Sequence, residues 1–280
     1  MSTKGICFLL ALCASLLASA CAGLPATGEF WAVRQIRFGG SEFIDSTSAL
    51  EGDPSTPLKR EISSTIVASA AAKDGSMLTV ARDTEFDSPA WNDTEWLHEE
   101  IENAVHWLRY ASERAERPID LRLVFVRPES RLRIVRRHEA TDYAIIEIYV
   151  TASDESNIAF RTSVRNSIST GLHESLHASA AAAARKQDEE YLAAFLEICF
   201  LSSLLTTNDR LHLPAVPPAQ HGPRVLRRSA DGARRALQEA RTVIGGSATL
   251  EGTDEDARKA IANHCQSTLD RAIRRRKPGR

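Results

Sequence analysis

His173, Glu174 and His177 lie within the run Thr170-Gly171-Leu172-His173-Glu174-Ser175-Leu176-His177-Ala178-Ser179, at a spacing suited to chemistry at a metal ion. Residues four apart on a helix share one face, about one turn apart, so both histidines can aim an imidazole nitrogen at a single ion. Neutral imidazole is a good ligand for zinc. Glu174, one position further round, stands beside such an ion rather than on it. There a carboxylate can take a proton from water, whose pKa zinc lowers to about 7. Two histidines leave a catalytic zinc one protein ligand short, so the rest of the chain must supply a carboxylate or another His.

The segment Thr170 to Ala178 resembles the zinc signature of the zincin metallopeptidases, where uncharged residues surround His-Glu-x-x-His. Ser179, at a position that is usually apolar in that family, departs from it. The resemblance implies an α+β fold: a small sheet packed on the motif helix, then an antiparallel helix carrying a Glu ligand. It implies Zn2+ as cofactor, a peptide or protein as substrate, and amide hydrolysis by metal-activated water with Glu174 as base. In that family an edge strand of the sheet pairs with the extended substrate, a use of sheet edges that is physically general. The rival reading is a non-catalytic envelope lipoprotein, a binding or assembly module whose His-Glu-x-x-His is incidental or structural.

A third His six residues after His177 is excluded, because Ala183 stands there. The gluzincin pattern, a Glu on the following helix, leaves Glu190 and Glu197, seven residues apart on one face of a segment capped by Asp188. If the Ala-rich stretch continues the motif helix to Ala184, it overshoots His177 by about 10 Å at 1.5 Å per residue. An antiparallel partner starting near Glu189 climbs back that distance close to residue 196, so Glu197 is the expected ligand, with a spacing like that of thermolysin-like enzymes. Glu197 is also the only charge between Ala193 and Leu205, and an unpaired buried carboxylate is costly. Glu190 is the alternative, a better match to smaller gluzincins, and requires the motif helix to break near Ala181. The family's Asp four residues after the ligand Glu is missing for both, since Ala194 and Leu201 stand there. A donor to the developing oxyanion is usually His or Tyr, and Tyr191, His212 and His221 are in range by sequence.

The 280 residues carry a net charge of -2, and that balance points to no nucleic-acid partner. Residues 1–20 hold one cation, Lys4, before an apolar run from Ile6 to Ala18 that is short for a membrane span and reads as an export signal. Leu17-Ala18-Ser19-Ala20-Cys21 resembles a bacterial lipobox, which implies lipid on Cys21 and a membrane anchored through it. Ala22, rather than Asp, favours by the same resemblance the outer membrane facing the periplasm, in a host that has one. With Cys7 and Cys13 in the signal, Cys199 and Cys265 remain, either as a bridge or as a buried apolar residue and a separate thiol.

A tether over 21–28 and an α+β domain over 29–210 follow, then a helical region over 211–280 ending in a basic tail. A strand falls within Glu29–Phe43, and Met77–Ala81 reads as another. Leu58–Ala72 reads as either helix or strand, because Ile62, Ile66 and Val67 have helical spacing while Ser63-Ser64-Thr65 oppose it. From Asp93 or Thr94 as cap, Trp96, Leu97, Ile101, Ala104, Val105, Leu108 and Ala111 predict an amphipathic helix to Arg117-Pro118. Strands follow at Leu121–Val126, Arg131–Arg137 and Tyr143–Thr151. A helix over Ser156–Arg185 carries the motif, and another runs from Glu189 to about Thr206. The Pro-rich Leu211–Pro223 is a boundary or loop, followed by helices over Arg224–Val243 and Asp254–Arg276.

Overall fold

The computed structural model describes residues 29–31, 63–126, 134–139, 142–151, 156–177, 186–215 and 224–274. The expected export signal, Cys21 with its tether, His221 and the end of the basic tail lie outside these residues. Among the described residues the protein is mixed α and β, with two sheets and five α-helices.

The strands are β1 (Glu29–Trp31), β2 (Ser64–Ala71), β3 (Met77–Asp83), β4 (Ile119–Val126), β5 (Ile134–Glu139), β6 (Ala144–Thr151), β7 (Arg210–His212) and β8 (Thr249–Glu251). The helices are α1 (Glu95–Ala115), α2 (Asn157–His177), α3 (Lys186–Ser203), α4 (Arg224–Val243) and α5 (Glu255–Arg274). Of the stretch left open between helix and strand, Ser64–Ala71 is β2, where Thr65, Ile66 and Val67 suit a pleated edge better than a helix interior, and residues 58–62 lie outside the described residues.

Five strands form one sheet in the order β2-β3-β4-β6-β5. The inner pairs β3/β4 and β4/β6 are parallel, and the outer strands β2 and β5 run antiparallel to their neighbours. A parallel pair needs a long crossover, and α1 supplies it between β3 and β4. Register places Leu78 beside Leu121 and Ile146, and Val80 beside Leu123 and Ile148. Because side chains alternate along a strand, these rows make one apolar face, and α1, α2 and α3 share its core. Ala81, Val124, Val126 and Tyr149 form a smaller cluster on alternate positions of the same strands.

Helix α3 is buried at every position from Glu189 to Ser202. A helix that is covered all round needs neighbours on every side, and α2, α4 and α5 all pack against it. Cys199 and Cys265 are joined, which settles the pairing left open above and ties α3 to α5. A second sheet, in the order β1-β7-β8, joins the start of the described chain to the region after α3. The stretch expected as loop after residue 210 therefore begins with a short strand, β7. Gly252 beside β8 leaves no room for a side chain, since a Cβ there would sit 1.7 Å from the Thr206 carbonyl oxygen.

Candidate metal centre

Helix α2 is held to the sheet by Phe160, Val164, Ile168, Leu172 and Leu176, all essentially inaccessible. Gly171 brings it close: a Cβ there would lie 3.0 Å from one methyl of Leu121 and 3.2 Å from a methyl of Leu123. Further up the helix, Arg165 donates to Glu100 of α1 at 2.6 Å. Burial pushes the Glu100 carboxyl above the usual carboxylate range, and the charge of Arg165 only partly offsets it. With one face fixed in this way, α2 turns His173 and His177 toward α3.

The two rings sit side by side, with centroids 5.0 Å apart and planes at 65°. Glu190, near the start of α3, reaches both. Its Oε1 lies 3.5 Å from Nε2 of His173 and its Oε2 lies 3.3 Å from Nε2 of His177. A tetrahedral zinc with ligands at 2.0–2.1 Å sets neighbouring ligand atoms about 3.4 Å apart. The two spacings, each to a different oxygen of Glu190, are close to that edge length, and the three residues form a metal-competent cluster among the described residues, with their ligand atoms all within 4.8 Å of one another. The donor set of two imidazoles and one carboxylate is also one that zinc accepts.

Of the two carboxylates weighed from sequence, Glu190 is the one that converges with both imidazoles. Helix α3 begins at Lys186 and Glu190 stands level with His177, while the Ala-rich stretch on which the Glu197 expectation turned lies outside the described residues. Glu197, two turns on, lies level with His173 but on its other side, with Oε2 3.3 Å from Nδ1. The two nitrogens of an imidazole point apart, so a carboxylate at Nδ1 does not share an ion held by Nε2. The pairing of His173 with Glu197 and of His177 with Glu190 also shows that α2 and α3 run antiparallel.

Electrostatics keep the cluster polarised. Burial lowers the His173 pKa, but Glu190 and Glu197 outweigh it and hold the imidazole well above its usual range. Burial acts on Glu190 in the opposite sense, and there His173 and His177 prevail, holding its carboxyl well below the usual range. The two carboxylates thus favour positive charge at His173.

Glu174 is half-buried on α2, one position past His173. Tyr191 follows Glu190 in sequence but faces elsewhere: its hydroxyl donates to Glu239 of α4 at 2.7 Å, and burial pushes its pKa up. His212 lies in β7 with Nδ1 3.3 Å from the Thr249 hydroxyl. Neither contact involves the imidazole pair, and His221 is outside the described residues. Neither Gly171 nor the Glu100–Arg165 pair stands out as a functional signal in the sequence. The small residue facing β4 was the available signal for the first, and the pair, sixty-five residues apart, had none.

No known protein family matches this chain, and no curated protein matches it in sequence.

Proposed function

We propose that the protein is a zinc-dependent peptidase of zincin type, with His173, His177 and Glu190 as metal ligands and Glu174 as general base. The observation that carries this reading is the convergence of two Nε2 atoms on one carboxylate at 3.3 and 3.5 Å, next to a Glu in the His-Glu-x-x-His spacing. When bound, zinc would polarise the substrate carbonyl and make water acidic enough to lose a proton near neutrality. Glu174 takes up that proton as the water attacks and returns it to the leaving amine, so that the peptide bond breaks and no charge is left behind. The fold is in keeping with that reading, because among the described residues β5 is an antiparallel edge strand of the sheet that carries the motif helix. An edge of that kind can hold an extended peptide through main-chain hydrogen bonds.

We also propose export and a lipid anchor at Cys21. The Cys199–Cys265 bridge supports an oxidising compartment, where disulfides persist. No helix among the described residues is long and apolar enough to cross a membrane.

The test is zinc content and hydrolysis of a broad peptide library, measured on protein purified without a chelator or His tag. Wild type carries one zinc and cleaves. His173→Ala and His177→Ala lose the metal, while Glu174→Gln keeps zinc and loses about 10² or more of the rate. Stoichiometric zinc with equal inactivity of wild type and Glu174→Gln on every peptide would turn the reading to a metal-binding module. Wild-type zinc retained by both histidine variants would place any site elsewhere.

A further inference from the structure

We infer that Glu197 is a positioning residue, holding the His173 ring from behind so that its Nε2 faces the centre. This rests on the metal centre proposed above and gives Glu197 a different task from ligation. Three observations lead to it. First, Oε2 of Glu197 lies 3.3 Å from Nδ1 of His173, on the side away from Glu190. Second, Nδ1 is cut off from solvent and makes no aligned hydrogen bond, while the Glu197 oxygen lies within reach of it. Third, Glu197 is itself buried, and a carboxylate taken out of water is costly unless it is paired, as it can be with His173.

The chemistry of imidazole connects these facts. A neutral ring has one N–H and one lone pair, and a metal at Nε2 takes the lone pair, which puts the proton on Nδ1. A buried N–H needs an acceptor, and a carboxylate is the strongest one available. Once Nδ1–H donates to Glu197, both the tautomer and the ring angle are set, and the lone pair at Nε2 is enriched. His173 thus has one carboxylate at each ring nitrogen, both supplied by α3. The seven-residue spacing of Glu190 and Glu197 makes this possible, because two helical turns return to the same face. Two residues beyond Glu197, Cys199 is bonded to α5, which restrains the turn that presents the carboxylate.

Cobalt(II) distinguishes positioning from ligation, because its visible absorption reports the ligand set while its titration reports affinity. The full chain would be titrated with cobalt(II) alone as wild type, Glu197→Gln, Glu197→Asp and Glu190→Gln. Glu197→Gln is expected to weaken cobalt binding about 10- to 100-fold and to reach the wild-type spectrum at saturation. Glu190→Gln changes the saturated spectrum, since a ligand is gone. Glu197→Asp, which keeps the charge on a shorter arm, gives a smaller loss of affinity with the same spectrum. It carries the test if far-UV circular dichroism shows that the Gln variant does not fold. Unchanged affinity in both Glu197 variants overturns the positioning role while leaving the centre intact. A saturated spectrum altered as in Glu190→Gln also overturns it, by making Glu197 a ligand. Absence of cobalt binding by wild type instead removes the centre itself, and the inference with it.

Discussion

Replacing Gly171 with Ala tests how closely the motif helix must approach the sheet. The added Cβ would meet Leu121 methyls at 3.0 and 3.2 Å and a Leu123 methyl at 3.2 Å, against an ordinary limit of 3.4 Å. Relieving three such contacts needs a shift of a few tenths of an ångström, and both leucines are fully buried. Overpacking of this kind costs about 1–3 kcal/mol. Against it stands the intrinsic preference of a helix for Ala over Gly, about 1 kcal/mol. The expected net effect is a destabilisation of about 1 kcal/mol, read from urea unfolding of the metal-free protein. Because His173 is two residues on, the same shift moves its ring against Glu190, so zinc affinity also falls in a chelator competition. A variant about 1 kcal/mol more stable than wild type, the value set by propensity alone, with unchanged zinc affinity, would refute the close-packing argument.

Changing both Cys199 and Cys265 to Ala opens a loop of 66 residues, and chain entropy alone puts the loss at about 4 kcal/mol, measurable by urea unfolding. Arg165→Met leaves Glu100 buried without its counter-charge and should cost about 3–5 kcal/mol near neutral pH. Glu100 holds its proton more readily folded than unfolded, so its ionised form works against the native state. The penalty in that variant therefore shrinks as pH is lowered through the raised pKa, and a penalty that grows with acid would contradict the assignment. Zinc must displace a proton from His173, so zinc affinity should rise with pH in isothermal titration, with proton release seen as a dependence on buffer ionisation enthalpy.

Much of this architecture was legible because periodicity reports burial. The stripe Phe160, Val164, Ile168, Leu172 and Leu176 marks the covered face of α2, and the alternation along β4 and β6 marks the sheet. The His-Glu-x-x-His spacing placed two imidazoles together for the same reason. The choice between Glu190 and Glu197 was harder, since both lie on one helical face and only the level at which α3 begins separates them. A helix extended through the Ala-rich stretch pointed to Glu197, whereas in the structure Glu190 meets the imidazole pair. Pairing between distant segments was not readable at all. Nothing in residues 29–31 names residues 210–212 as their partner, and no local pattern couples Glu100 to Arg165.

The burial of α3 on all sides sets an order of events for a chain made from its N-terminus. Glu190 and Glu197 are synthesised soon after the histidines they meet, yet the helix carrying them leaves Tyr191 and Phe195 without Glu239 and His264, their partners on α4 and α5, until those helices arrive. The last clamp on that helix, Cys265, comes 66 residues after Cys199. The centre therefore matures only when nearly the whole chain is available. A fragment ending near residue 210 would contain every proposed ligand and still present a bare apolar helix to water. Such a fragment should associate or be degraded rather than serve as a minimal active unit.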